Sequence, residues 1–365
     1  MPYKILIINT VKTQANGITN SIFNLLSECN HDFICDYIAI NEIDRKDNKY
    51  NPISTVIVLP RSFRTVFNYF FNLIRIIRKN KYNLVHIHGN SHTTILELLA
   101  AYFGGCKNRI VHSHSTRCNH VLFHHLSTYA FNALCTHRFA CGELAGHWMF
   151  GKSAFQIIRN GIDVKKYEFN QISRSNIRNF LKWNDKIILG HVGNFVPVKN
   201  HKFIIDIFSE LIAYNDNYRL VLIGNKLETY NETVEYCKHK NLIEKVVFTG
   251  SIPNVNEYLC AVDIIIMPSL FEGVPLALME AQASGLICLV SDRISSEVNK
   301  TGNVYYESLN SSARNWASII VNYQISNERK ESSNKAISDI ISSGYSITSE
   351  SSKLFSLYKS ICDNN

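Results

Sequence analysis

The chain has 365 residues, 46% of them hydrophobic, and 38 Lys and Arg against 30 Asp and Glu give a formal charge of +8. That length exceeds one ordinary core and fits two domains of similar size, with the apolar content of a soluble globular protein. The basic balance favours anionic partners, and with no basic arm or recognisable binding module it argues against nucleic acid. Ten cysteines are scattered without a CxxC pair, no secretory leader precedes them, and no apolar run approaches the ~20 residues needed to span a bilayer. The expectation is a reduced, cytosolic protein, soluble or peripheral.

In chain order, residues 3–9 read as a buried strand, followed by a loop with Asn16 and Gly17 and the helical pattern ITNSIFNLLSE. Strand, glycine loop and helix open a parallel α/β domain, where Gly17 permits close approach of a ligand or simply makes a turn. Further strands are expected at 33–40, 55–59, 84–88 and 109–113, with helices between several of them, as in a doubly wound sheet. FRTVFNYFFNLIRIIRK, 63–79, places Asn68, Asn72, Arg75 and Lys79 on one helical stripe, so most of its circumference is expected to be hidden in its own domain. The competing reading is an exposed basic and aromatic face against a membrane surface or a lipid-linked substrate.

RIVHSHST sets His112 and His114 at i and i+2, on one face of a strand, with His120, His124 and His125 nearby. The spacing lacks the paired pattern of structural zinc sites and no Cys or His group completes it, so no metal is expected. His114, at the strand's carboxyl end, is either a structural histidine or a residue reaching the crevice where α/β sheets bind substrates. A helix near 122–136, a strand at 137–141 and a short helix to Phe150 lead to FQIIRNGIDVKKYEFN, whose Asn160, Gly161 and Asp163 are turn residues. The domains expected are 1–170, a polar linker 171–185, a second parallel α/β domain 186–340 and a C-terminal helix 341–365 returning to the first.

In GHVGNFVPVKNH, Gly193 ends the second domain's first strand and Lys199 stands before the next helix, placed to meet phosphate as a point charge. PSLFEGVPLALMEAQASG, 268–285, carries Glu272 on a loop and Glu280 on a helix that begins at Pro275 and stops before Gly285. The unpaired N–H groups at that helix start suit an anion. Glu280 lies five residues beyond Pro275, roughly 7.5 Å along the axis. That is about the working length of a nucleoside diphosphate sugar held between the two carboxylates, although two solvated glutamates would show the same spacing.

Taken together, HIHGNSH (86–92), HSHST (112–116), AGHWMFGK and RNGID (145–163), VGNFVPVKNH (192–201) and FEGVPLALMEAQASG (271–285) resemble the retaining glycosyltransferases of family 4. The last of these matches the family's E-x7-E motif. The resemblance covers nearly the whole chain and is nearest to bacterial enzymes that build capsule, exopolysaccharide or O-antigen repeats. It implies the GT-B fold, two Rossmann-like domains with the donor in the cleft between them. It implies that Glu280 holds the nucleotide ribose, that Glu272 with the backbone of Gly273 and Val274 holds the donor sugar, and that Lys199 neutralises the diphosphate. It places His114 near sugar and acceptor, Gly17 between donor phosphate and acceptor, and Gly193 and Asn194 in the donor loop.

The reaction so implied is transfer from a nucleotide sugar, UDP-linked, to a hydroxyl of a saccharide or polyprenyl-diphosphate-linked acceptor, with retention and with no metal or other cofactor. Its expected place is the cytoplasm, with peripheral contact at the inner face of the plasma membrane. Two departures stand out. Asn194 replaces the family's usual Arg, for which Arg159 is a candidate substitute, and LIGNK at 222–226 replaces a frequent G-x-G. The alternatives are a GT-B sugar-nucleotide epimerase and a catalytically weak subunit of an assembly complex.

Overall fold

Apolar runs such as ILII at 5–8, buried on both sides, are the mark of strands covered by helices on both faces of a parallel sheet. The computed structural model describes residues 2–13, 17–42, 51–115, 121–323 and 328–364. Asn16 and His120 lie outside them. Two compact units result, residues 1–161 with 344–365, and residues 162–343.

The first unit contains β1 (Tyr3–Asn9), α1 (Gly17–Leu26), β2 (Phe33–Ala39), β3 (Thr55–Val58), α2 (Val66–Asn80), β4 (Leu84–Gly89), α3 (Ile95–Phe103) and β5 (Asn108–Ser113). It continues with α4 (Val121–Leu126), α5 (Thr128–Leu134), β6 (His137–Ala140), α6 (Glu143–Phe150) and β7 (Gln156–Ile157). The second unit contains α7 (Gln171–Leu181), β8 (Ile187–Val192), α8 (His201–Tyr214), β9 (Tyr218–Ile223), α9 (Tyr230–His239), β10 (Val246–Gly250) and α10 (Val255–Ala261). It ends with β11 (Ile264–Met267), α11 (Leu276–Ala283), β12 (Ile287–Ser291), β13 (Val304–Glu307), α12 (Ala313–Asn322) and α13 (Arg329–Ser342). The last helix, α14 (Ile347–Asp363), belongs to the first unit.

Strand order is β3-β2-β1-β4-β5-β6-β7 in one sheet and β10-β9-β8-β11-β12-β13 in the other, and every pairing is parallel. The expected α/β class, two doubly wound parallel-sheet domains, is therefore present. Each sheet reverses its winding once, between β1 and β4 and between β8 and β11. Ligands of such sheets bind outside the carboxyl ends of the strands at that switch point.

Two expectations are corrected. Residues 171–181 are not linker but α7, capped at its start by the Asn170 side chain, which accepts from the Ser173 N–H at 2.9 Å. Its polarity misleads because the polar groups face inward. Arg178 is buried, pairs with Asp263 at 2.5 Å and donates to the Ala261 carbonyl at 3.0 Å. Helix α2 does not hide most of its circumference. Only Tyr69, Leu73 and Ile77, one i, i+4, i+8 stripe, are buried, while Phe67 is 76% and Phe71 63% exposed.

Helix α14 buries Ile347, Leu354, Phe355, Tyr358 and Ile361 in the same core as β1, β2 and α1. The C-terminal helix expected to return to the first domain thus completes the first unit's core.

Candidate active site

At the second sheet's switch point, β8 leads into Gly193 and a 3₁₀ turn, Pro197–Lys199, while β11 leads through Ser269 to Glu272. The two loops meet in an ion pair. Lys199 Nζ lies 2.7 Å from Glu272 Oε1, and the Ser269 hydroxyl donates to the same oxygen at 2.7 Å. Both charged side chains are 15% exposed, so the pair is shielded without being sealed. Glu272 is anchored on its backbone by a bridge to Ile294, and its carbonyl accepts from the Ser295 N–H at 3.2 Å.

Glycines form the floor. A Cβ on Gly193 would lie 3.0 Å from Cδ and Cε of Lys199, so the bare residue leaves the lysine stem its path. A Cβ on Gly224, at the end of β9, would overlap the Gly193 carbonyl oxygen, and the Gly224 N–H donates to the Gly250 carbonyl at 3.1 Å. The ends of β8, β9 and β10 are thereby drawn tight enough to present backbone rather than side chains.

Asn194 does not project a charge substitute. Its Oδ1 accepts from the backbone N–H and from the side chain of Asn225, both at 3.1 Å, tying the β8 and β9 loops together. The next residue, Lys226, is exposed, with Nζ 4.9 Å from the Tyr230 ring centroid and its stem beside Gly250. The LIGNK departure therefore places a cation on the β9 loop, which Asn225 ties to the β8 loop where the usual arginine is missing. Arg159, the candidate raised from sequence, is in the first unit, where its guanidinium lies 5.5 Å from the Tyr345 ring centroid and its backbone N–H donates to Glu350 at 2.6 Å.

Helix α11 carries Glu280. Pro275 is its N-cap rather than its first helical residue, since ψ of 123° keeps it extended while its carbonyl accepts from Leu278 and Met279 at 3.0 and 3.3 Å. Gly285 closes the helix at φ +70°, as its position suggested. Gly273, exposed, and Val274 lead into the cap. Burial raises the Glu280 carboxyl above its usual range, opposed by a hydrogen bond from Tyr167 and the charge of Lys166. Nothing in the pattern around KKYEF marks Tyr167, which meets Glu280 only in the fold.

Gly17 and His114 belong to the first unit. Gly17 is the first residue of α1, with open space where a Cβ would stand. His114 follows β5, its Nε2 2.9 Å from Nδ1 of His88, and burial pulls its imidazole down to about 4 against the opposing contact of Asn160. The Asn160 Oδ1 accepts from the Ser21 hydroxyl at 2.6 Å, which links His114 to α1. His124 and His125 take no part. The His124 ring stacks on His92 with centroids 3.8 Å apart, and His125 lies beside Trp148.

The reading that no histidine group completes a ligand set around His112 is corrected. One nitrogen from each of His86, His88 and His112 lies within 4.8 Å of the others. The residue that joins His112 across the ladder is His88, its register partner on β4, and strand pairing was needed to see it.

Comparison with known proteins follows the same lines. The family model described as Glycosyl transferases group 1 matches residues 173–305. The putative glycosyltransferase EpsF of Bacillus subtilis is 33% identical over 269 residues, 68% of each chain. UDP-Gal:alpha-D-GlcNAc-diphosphoundecaprenol alpha-1,3-galactosyltransferase of Escherichia coli is 29% identical over 237 residues, 60% of each chain. Among solved structures, Anabaena Alr3699/HepE in complex with UDP and glucose superposes with a TM-score of 0.80 at 15% identity, over 98% of this chain and 100% of that one. Likeness at that identity is a statement about fold.

Proposed function

From the premise that this chain belongs to the group 1 glycosyltransferases, we propose that it transfers a glycosyl group from a UDP-sugar to an acceptor hydroxyl in bacterial surface-polysaccharide synthesis. The observation that carries this reading is the Lys199–Glu272 pair at the second sheet's switch point, over a floor of three glycines. Support for the donor comes from the UDP seen with the Anabaena fold neighbour. Support for a polyprenyl-diphosphate-linked acceptor comes from the name of the Escherichia coli relative.

In this mechanism the bond between the anomeric carbon and the diphosphate oxygen breaks, and the acceptor oxygen bonds to that carbon from the same face, retaining configuration. The acceptor proton passes to the departing diphosphate. Lys199 Nζ, the backbone N–H groups at Gly273 and Val274 and the start of α11 meet the negative charge that grows on the leaving group. Glu272 orients Lys199 and the sugar hydroxyls, Glu280 with Tyr167 holds the ribose, and Lys226 supplies the second positive charge that Asn194 does not. No metal takes part in this step. His114, in the first unit, receives the acceptor.

Helix α2 supplies a membrane contact. Phe63, Phe67 and Phe71 are exposed on or beside a helix with Arg75, Arg78 and Lys79 and no acid in its sequence, a combination suited to an anionic lipid surface. Among the described residues no helix is long and apolar enough to cross a bilayer.

The test is a panel of nucleotide sugars scored by thermal protection, followed by transfer assays on polyprenyl-diphosphate saccharides. A UDP-sugar at millimolar concentration is expected to raise the melting temperature of the wild type and to raise that of Glu280→Ala by clearly less. Absence of protection by every nucleotide sugar would sink the donor assignment. Conversion of a UDP-sugar without any acceptor would turn the reading toward an epimerase.

A further inference from the structure

In the first unit, His86 and His88 on β4 and His112 on β5 point to one face of the sheet, because His86 and His88 are two residues apart and His88 pairs directly with His112. All three side chains are buried, at 0, 2 and 0% exposure. Their ring centroids are 4.1, 5.4 and 5.2 Å apart for the pairs 86–88, 86–112 and 88–112.

Each ring has one nitrogen engaged outward. His112 Nε2 lies 3.2 Å from the Ile158 carbonyl, which can only accept, so the proton is on Nε2 and Nδ1 carries a bare lone pair. His86 Nδ1 bonds to the Tyr358 hydroxyl of α14, and His88 Nδ1 to His114. The inward nitrogens His86 Nε2 and His112 Nδ1 are buried without any hydrogen-bond partner. Leaving a buried polar atom unmatched is destabilising, and two side by side in one cluster ask for a shared partner.

We infer that His86, His88 and His112 form a binding site for a late first-row divalent metal ion, Zn²⁺ in class, with a fourth position open to water. Three neutral imidazoles without a carboxylate suit Zn²⁺, Ni²⁺ or Cu²⁺ and not Mg²⁺ or Ca²⁺, which require oxygen ligands. Outward bonds to a carbonyl and a hydroxyl are the usual means of fixing the tautomer and orientation of metal-binding histidines. Burial and mutual repulsion hold all three imidazoles well below their ordinary range, so they are unprotonated at neutral pH. Nitrogens now within 4.8 Å must close to about 3.3 Å around an ion held at ~2.0 Å, a movement within reach of small side-chain rotations. His114, half-buried beyond His88, stands at the approach. The site belongs to the first unit and Lys199, Glu272 and Glu280 to the second, and its assignment does not depend on the glycosyl-transfer reading.

The experiment uses the full chain, stripped with a chelator and then exposed to Zn²⁺ or Co²⁺. The expected result is one equivalent of zinc retained through gel filtration, a rise in melting temperature, and the visible absorption of low-coordinate Co²⁺. His112→Asn is expected to abolish all three, Tyr358→Phe to weaken binding about 10-fold, and exposed His147→Gln to change nothing. Retention below half an equivalent by the folded wild type would overturn the site, as would an unchanged cobalt spectrum in His112→Asn. Should His112→Asn fail to fold, wild-type stoichiometry and the Tyr358→Phe affinity decide the matter. Wild-type stoichiometry with unaltered Tyr358→Phe affinity places the metal elsewhere. Because these readouts are metal content and spectra, their failure is separable from loss of sugar transfer.

Discussion

The two sheets share one strand order over six strands, the first adding β7 at its end, and their carboxyl edges carry opposite chemistry. The first is lined by neutral imidazoles stacked from β4 and β5, the second by a lysine–glutamate pair over glycines whose backbone is laid bare. The winding fixes where a ligand is met and leaves its chemistry to the loop residues. At the second edge, a charged pair is held partly exposed. The first edge has had charge removed by burial, so it suits a neutral hydroxyl substrate or a cation.

The largest expected break in this contrast comes from Lys199→Ala, which lowers turnover about 10²- to 10³-fold at saturating donor. His114→Asn should leave donor affinity unchanged and raise the acceptor KM. If the histidine variant weakened donor binding as much as Glu280→Ala, the division of labour between the edges would be wrong.

Acid sharpens the same contrast inside the second unit. His201 is buried against Phe195, ring centroids 4.1 Å apart, and burial with the nearby Lys199 charge lowers it to about 4. The unfolded chain binds that proton near pH 6.5, before the folded one does. Stability is therefore full above pH 6.5 and is lost on acidification toward 4, on the order of 3 kcal/mol in total. Urea midpoints read by fluorescence in a Trp148→Phe background, which leaves Trp183 and Trp316 of the second unit, should follow that slope. His201→Gln should make it shallower, with the remainder coming from His191, buried beside it and also lowered by burial.

Glu280→Ala should raise the donor dissociation constant about 10- to 100-fold, the value of a hydrogen bond to a charged group, while Glu272→Ala acts chiefly on turnover. Calorimetric titration with UDP separates the two. The smallest effect belongs to Lys226→Ala, about two- to fivefold, because an exposed cation contributes about 0.2–1 kcal/mol. Restoration of that loss by Asn194→Arg would show that the two positions serve one role.

Strands and helices were legible because period carries them, and Glu272, Lys199 and Glu280 stood out as candidates because a local motif carries them. Glu272 and Lys199, 73 positions apart, were read as site residues, but their direct bond was not, since no local pattern encodes it. Tyr167 and the His86–His88–His112 group were missed for the same reason, being made by a tertiary contact and a strand register. Helix α7 was misread because inward-facing arginines look like a solvated segment until Asp263 is placed beside them. Exposed Phe67 and Phe71 invert the ordinary link between hydrophobicity and burial, a rule that runs in one direction only.

Helix α14 has a consequence for how the molecule is made. The first unit is assembled from residues 1–161 and 344–365, whereas the second is continuous from 162 to 343. On the ribosome, the second unit can close while the first still lacks Leu354, Phe355 and Tyr358 from its core. The unit that begins first is therefore finished last, and a chain cut short before residue 344 leaves β1, β2 and α1 with an open apolar face.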